Sequence, residues 1–302
     1  MNDKNNIIEK LTTLRSGFSK SQKLIADFIS SHYDKAAFMT ASKLGEKVGV
    51  SESTVVRFAS ELGYDGYPEF QRVLQEIIKN KLTAAQRMEI TSNKLAEKDI
   101  LKTVLSSDID KLRQTLETVS VDDFSASIDT IMNARRIYVL GARTCFSIAN
   151  FLGFYLNLIS LDVRLITTNS ASETFEQIFD INENDVVIAI SYPRYSRRTM
   201  NAVKYAKDKK SRVIAITDSE ISPIVKYADH TLIAHSDMSN FVDSLVAPLS
   251  IINALIVALV MRNREKVTEN FNALENIWDE YRVYEKPIEK DTSGETQKKK
   301  IY

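Results

Sequence analysis

The chain's 302 residues, 44% hydrophobic and 26% charged, are enough for two ordinary domains with packed cores, which excludes a disordered or fibrous class. Its 40 basic and 40 acidic side chains cancel, which excludes a chain-wide pull toward nucleic acid and leaves any such binding to local arrangement. The one cysteine, Cys145, excludes an intrachain disulfide and fits a reducing cytoplasm, and the polar opening MNDKNNIIEK lacks the apolar core of a secretion signal.

Residues 1–80 read as all helix. Leu11, Leu14 and Phe18 recur at helical spacing, as do Leu24, Ile25, Phe28 and Ile29. Thr40 or Ser42 caps a short helix over ASKLGEKV, which Gly49 ends. Ser51 caps the next, SESTVVRFASEL, which Gly63 ends. YDGYPEFQ then makes a turn, and Pro68 starts a further helix to about Asn80. Two short helices about a tight glycine turn form a helix-turn-helix, whose second helix reads the major groove with its N-terminal residues. Ala41, Leu44, Val48, Val55, Phe58 and Leu62 fall on the inward faces. Lys43, Ser51, Ser53, Thr54 and Arg57 are then the candidate DNA contacts, hydroxyls for phosphate or base edges and Arg57 for guanine or phosphate. The same string also suits a plain helical hairpin with a capping Ser51 and a surface Arg57.

Residues 81–121 are charged and helix-forming, without Gly or Pro, and read as a helical connector; Ile109, Leu112 and Leu116 are placed to lay a stripe on the next domain. Over 122–286 the periodicity changes. RIYVLG, DVRLIT, DVVIAIS, RVIAIT and HTLIAH are short β-branched runs, with helical stretches between the first four. This predicts an α/β domain with a five-stranded parallel sheet sandwiched by helices. Two helices, about Asn240 to Arg262 and Val267 to Tyr284, close it. Leu245 to Met261 is strongly apolar but falls short of the ~20 residues of a membrane span. With Pro248, Ser250 and Asn253 inside it, it reads as a buried or interface helix, and no membrane contact is expected. The tail, 287–302, has almost no apolar content and reads as disordered.

Ligands of open parallel sheets sit beyond the carboxyl ends of strands, at a switch point. Two loops there run into helix N-termini, GARTCFSIANF and SYPRYSRRTM. Arg143, Thr144, Cys145, Ser191, Arg194, Ser196 and Thr199 are the candidate effector residues, because hydroxyls, N–H groups and guanidinium suit a phosphate or carboxylate. Arg197 and Arg198 add positive charge. The first loop lacks the later glycines of a dinucleotide fingerprint. No Cys or His cluster has metal-ligand spacing, and no metal, cofactor or catalytic residue is expected. Cys145 reads as a packing or pocket-lining residue. Glu173 and Glu176 could serve an isomerase as bases but read as an amphipathic helix face.

The run GVSESTVVRFASELGYDGYPEFQ resembles the N-terminal domain of the RpiR family of transcriptional regulators, whose members carry V-S-x-x-T-V-x-R-F-x-x-x-L-G-[FY]-x-G-[FY]-x-E-F; every specified position from Val50 to Phe70 matches. The second domain resembles a SIS domain, the phosphosugar-binding module that such regulators use as a sensor. Its usual loops are G-x-G-x-S and S-x-S-G-x-[ST]. Gly141, Ser191 and Ser196 match, as do the ITDS ending at Ser219, Ser222-Pro223 and Ala228-Asp229. Arg143 stands for the second glycine, Cys145 for the serine, and Pro193-Arg194 for Ser-Gly. The resemblance implies a homodimeric or homotetrameric regulator of a double-stranded DNA operator, controlled by an anionic metabolite such as a sugar phosphate. The alternatives are a sugar-phosphate isomerase and a non-catalytic sugar-phosphate-binding protein.

Overall fold

The computed structural model describes residues 7–79, 83, 85–88, 99–159, 161–236 and 242–285. The expected disordered tail and most of the connector between 80 and 98 lie outside the described residues.

The first domain is helical: α1 (Ile7–Leu14), α2 (Lys20–Ser31), α3 (Tyr33–Ala36), α4 (Ala41–Val48), α5 (Glu52–Glu61) and α6 (Tyr67–Lys79). Thr40 caps α4 by accepting from Lys43 N, and Ser51 caps α5 by accepting from Thr54 N. Gly49 and Gly63 follow these helices with φ of 76° and 86°, where a Cβ would be strained. Leu44, Val55, Phe58 and Leu62 are buried with Ile25, Ile29, Phe70 and Leu74 in one core. Phe58 stacks edge-on against Phe18, and Phe70 against Tyr64, each at 5.3 Å between centroids. Tyr67 Oη and Gln71 Nε2 both donate to Met39 O, tying α6 to the lead-in of α4.

Gly45, inside α4, shows how tightly the helix-turn-helix closes. A Cβ there would come within 2.7 Å of the Val50 carbonyl, while Val50 N donates to Gly45 O at 2.9 Å. The periodicity of α4 does not reveal this contact, because the clashing atom belongs to the backbone of the turn.

The second domain holds β1 (Ile137–Gly141), β2 (Val163–Leu165), β3 (Val186–Ile190), β4 (Arg212–Thr217) and β5 (His230–Ile233). They pair in parallel in the order β2-β1-β3-β4-β5. β1 and β3 are buried throughout, as fits β-branched strands covered on both faces. On one face Ile137, Val139, Ile188 and Ile214 pack with α8 (Val121–Met132), α9 (Thr144–Leu158) and α12 (Val246–Arg262). On the other, Tyr138, Leu140, Val187 and Val213 pack with α10 (Ala171–Ile178) and α11 (Arg197–Asp208). At the amino end of β3 the buried Asp185 accepts both 2.8 Å bonds of Arg135 and one from Asn182 N.

α12 runs directly into α13 (Arg264–Glu280) through Asn263. Ile251, Ile252, Leu255 and Leu259 of α12 are buried, whereas Val257 and Met261 are exposed. No single described helix is long and apolar enough to cross a membrane; α12 and α13 together pass that test only across a 99° bend.

One expectation is overturned. α7 (Ile100–Thr118) does not lay the whole stripe on the sheet domain: Ile109 and Leu116 are 47% and 80% exposed, and Leu112 alone of the three is half-buried. Its packed face is polar. Thr115 Oγ1 accepts from His235 N at 2.9 Å, Thr118 Oγ1 meets His235 Nε2 at 2.9 Å, and Asp108 Oδ1 accepts from Ser244 Oγ at 2.6 Å. Spacing identifies an apolar stripe but not what covers it; here Leu101, Leu105, Ile109 and Leu116 lie along one outward face.

Helix propensity alone says that Gly45→Ala stabilises α4 by about 1 kcal/mol. The Val50 contact predicts the opposite, a loss of about 1–3 kcal/mol from overpacking. Urea denaturation decides between them; a raised midpoint would show that the turn yields.

Candidate functional site

The order of strands reverses between β1 and β3. The chain leaves β1 for α9 on one face and β3 for α11 on the other, so a crevice opens beyond their carboxyl ends. A cavity of about 40 Å³ lies there, lined by Ala142, Arg143, Thr144, Cys145, Ile190, Ser191, Tyr192, Pro193, Arg194, Ser196, Thr199 and Asp243. All seven candidate effector residues therefore come together. Asp243, ten positions beyond the end of β5, was not legible as part of the site.

Ser191 directly follows β3 and Thr199 sits in the first turn of α11. They are 3% and 1% exposed, and neither Ser191 Oγ nor Thr199 Oγ1 has a hydrogen-bond partner. A buried hydroxyl left so costs about 1–3 kcal/mol. Ser196 does the other job open to a serine here: its side chain caps α11, accepting from Thr199 N at 3.4 Å. Arg198 donates Nη2 to Gly141 O at 3.3 Å beside Ala142, and its buried Nη1 also has no partner.

The loop carrying Ser191 is held from three sides. Thr217 Oγ1 donates to Ser191 O at 2.7 Å, Tyr192 Oη donates to Ala234 O at 2.9 Å, and Tyr195 Oη donates to Asp218 Oδ1 at 2.9 Å. Burial drives both tyrosines far above their ordinary pKa, so they remain donors at any physiological pH. Thr217 and Asp218 come from the ITDS run, whose part in shaping the loop no sequence pattern exposed.

Arg143 and Arg194 stand where the family pattern has glycine, and both keep a glycine-like backbone, with φ of 57° and 65°. With ψ of −124°, Arg143 has the geometry of the first central residue of a type II′ turn. A side chain there costs of order 1–3 kcal/mol. Gly141 has no such latitude, because a Cβ would lie 2.6 Å from Cys145 O. α9 begins at Thr144 with no side-chain cap; the N–H groups of Cys145 and Phe146 donate instead to Ala142 O at 3.2 Å and Arg143 O at 3.0 Å.

Cys145 lines the cavity but is 6% exposed. Burial pushes its thiol up to about 11, although the Tyr192 N–H draws it down. It is a neutral wall at pH 7, not a nucleophile. Glu173 and Glu176 do not reach the cavity; Glu173 accepts from Thr168 Oγ1 instead.

On the first domain Lys43, Ser51, Ser53 and Arg57 are exposed and Thr54 is half-buried. Ser51 Oγ lies 2.9 Å from Ser53 Oγ and 2.8 Å from Thr54 Oγ1, a hydroxyl cluster at the N-terminus of α5. Arg57 is one turn on, on the same face, and borders a surface groove with Thr54, Ser19 and Gln22. Ser19 and Gln22 form a capping box, so a second helix N-terminus flanks that groove. Val56 is also outward, at 38% exposure, an apolar position that the inward-facing pattern did not single out.

The model of the helix-turn-helix domain of the rpiR family matches residues 5–81, and that of the SIS domain matches residues 130–258. An uncharacterised HTH-type transcriptional regulator of Clostridium perfringens is 27% identical, over 75% of this chain and 80% of its own. The sugar isomerase domain of an RpiR transcription factor from Sphaerobacter thermophilus matches at a TM-score of 0.57 and 26% identity, over 59% of this chain and 99% of that one. The Vibrio vulnificus NanR protein, complexed with ManNAc-6P, shares the fold at a TM-score of 0.56 and 18% identity, over 91% of this chain and 99% of that one.

Thr199→Val keeps the shape of the side chain and removes an unpartnered hydroxyl. Without added anions it is expected to raise the thermal midpoint. A lowered midpoint would mean that the hydroxyl already has a partner.

Proposed function

The chain belongs to the RpiR family of transcriptional regulators, and from that premise we propose that a small anionic metabolite, a phosphorylated sugar, binds the cavity between β1 and β3 and sets how tightly paired α5 helices hold an operator. One observation carries the ligand assignment: the buried, unpartnered hydroxyls of Ser191 and Thr199 at the switch point, beside Arg143, Arg194 and Arg198. An oxyanion satisfies such donors with charge-assisted hydrogen bonds. It also gives a reason to hold arginine in a backbone conformation suited to glycine.

Isomerisation is the competing chemistry. It needs a base able to take a proton beside a carbonyl. Among the described residues lining the cavity Asp243 is the single carboxylate, and it is ion-paired with Arg87 at 3.0 Å. That favours a sensor over an enzyme, acting in the cytoplasm where DNA and phosphorylated sugars meet.

A single reading helix with balanced surrounding charge binds weakly, so the regulator acts as a dimer or larger assembly that places two copies of α5 on one operator. The outward stripe of α7, with Leu101, Leu105, Ile109 and Leu116, and the exposed Phe154, Val257 and Met261 supply apolar surface for a second copy. Lys43 and the Ser51–Ser53–Thr54 cluster then contact the backbone, and Arg57 a base or phosphate.

Thermal stability against a panel of phosphorylated sugars, ManNAc-6P included, tests the ligand. A cognate one at a hundred times its Kd adds about 2.7 kcal/mol; no response to any of them, and turnover of one instead, would return the isomerase reading. Mobility shifts on the chain's own upstream DNA test the rest. Arg57→Ala is expected to weaken operator binding by about 1–3 kcal/mol with folding intact. Ser191→Ala is expected to remove the metabolite response while sparing DNA binding. Unchanged operator affinity in the first variant, or a normal response in the second, refutes the corresponding role.

A further inference from the structure

Arg87, in the described part of the segment between the two domains, is bonded to a residue that lines the cavity. Residues 85–88 form a helical turn. A capping box fixes its start: Thr83 N donates to Gln86 Oε1 at 2.9 Å, and Gln86 N donates to Thr83 Oγ1 at 3.3 Å. The next two side chains reach different domains. Gln86 Nε2 donates to Asp34 Oδ2 in α3 at 3.0 Å. Arg87 Nη1 donates to Asp243 Oδ1 at 3.0 Å, and Asp243 lines the cavity.

Arg87 is 2% exposed, an extreme burial for a permanent cation. Burial lowers its pKa, Asp243 raises it, and the neighbouring Arg194 and Arg143 lower it further. Its charge therefore sits in the same field as the two loop arginines. The cationic groups at this end of the sheet, with Arg198 among them, outnumber the one lining carboxylate. Such a cluster is stabilised most by a multiply charged anion among the guanidinium groups.

Size adds a second constraint. A water needs about 10–15 Å³ of such space, so the narrow part of the cavity, about 40 Å³, has room for a phosphate-sized group, while its mouth is open to solvent. Strand ends and helix starts form most of the wall. Asp243 lies instead on the irregular stretch before α12, and its partner comes from the interdomain turn.

We propose that Arg87 is an anion-binding residue delivered to the cavity by the interdomain segment, and that its exchange of Asp243 for the incoming phosphate carries occupancy to the DNA-binding domain. This rests on the assignment of the cavity to an anion. Asp243 competes with the phosphate for the same guanidinium. When Arg87 turns toward the phosphate, Gln86 moves with it, and so does its bond to Asp34. α3 lies just ahead of α4, and Met39 and Ala37 between them are already fastened to α6 by Tyr67, Gln71 and Gln75. A shift at Asp34 thus reaches the frame that holds the reading unit. The energy available to the switch is the difference in anion affinity between the two placements of Arg87.

The test uses the full chain and inorganic phosphate, followed by thermal stability and by hydrogen exchange in residues 33–48 and 83–88. In the parent protein phosphate is expected to stabilise the fold and to change exchange in both segments. Arg87→Gln is expected to lower phosphate affinity about tenfold or more and to silence the response of residues 33–48 even at saturation. Asp243→Asn removes the competitor and is expected to tighten phosphate binding severalfold. A merely structural ion pair would instead make both variants bind more weakly. If Thr199→Val loses phosphate while Arg87→Gln binds it as the parent does, Arg87 is not a ligand and the cavity assignment stands. If the parent does not bind phosphate, or Thr199→Val binds it undiminished, both ideas fall. If Arg87→Gln does not fold by circular dichroism, Asp243→Asn decides alone, and weakened binding in it overturns the proposal.

Discussion

β1 and β3 lie side by side while their following helices leave to opposite faces of the sheet, and the effector half of the molecule depends on that divergence. Neither helix can close over the gap between the strand ends. The gap receives two helix N-termini and the last residues of two strands buried throughout, so its floor is rigid and its donors point outward. Ser191 is placed by β3, Thr199 by the first turn of α11, and Arg143 by the exit from β1. Thr217, Tyr192 and Tyr195 then brace the loop, so the hydroxyls have little freedom to find partners elsewhere. The cost of leaving them unpartnered is met by the stability of the sheet.

The two loop arginines sharpen this picture. Glycine would hold φ of 57° and 65° without strain and let a phosphate approach the backbone closely. Arginine keeps the turn, accepts strain and adds a guanidinium at the cavity. The backbone geometry of glycine is thus preserved while side-chain charge is added beside the cavity. Arg87 extends the same trend from outside the domain. A site built on so much positive charge suits a ligand with more than one negative charge, and Asp243 moderates the repulsion among the arginines.

In the first domain the governing constraint is close backbone approach. Gly45 lets α4 meet the turn at Val50, and Ser51 and Ser53 are exposed, with Thr54 half-buried beside them, because Val55 and Phe58 are drawn into the core on the opposite side of α5. The aromatic set of Phe18, Phe58, Tyr64 and Phe70 fixes α5 against α6, which explains why the YDGYPEF run accompanies the reading helix. Local charge there remains balanced, with Glu52 beside the hydroxyl cluster and Glu61 engaged by Gln22.

The sequence by itself determined the local rules: helix starts at Thr40 and Ser51, stops at Gly49 and Gly63, five parallel strands, and the two loops between which the cavity lies. These follow from capping chemistry, left-handed glycines and hydrophobic period, all of which act within a few residues. The tertiary structure decided whatever depends on atoms distant in the chain. The outward side of α7 is one case: Ile109 and Leu116 repeat like core residues, yet Asp108, Thr115 and Thr118 hold the helix through hydrogen bonds to Ser244 and His235. Gly45 is another, since the atom that requires glycine is a carbonyl of the turn. Arg87 and Asp243 are the third, 156 positions apart and meeting at 3.0 Å beside the cavity. Periodicity reports which face of an element is apolar; only the packed chain reports which atoms that face, or its opposite, will meet.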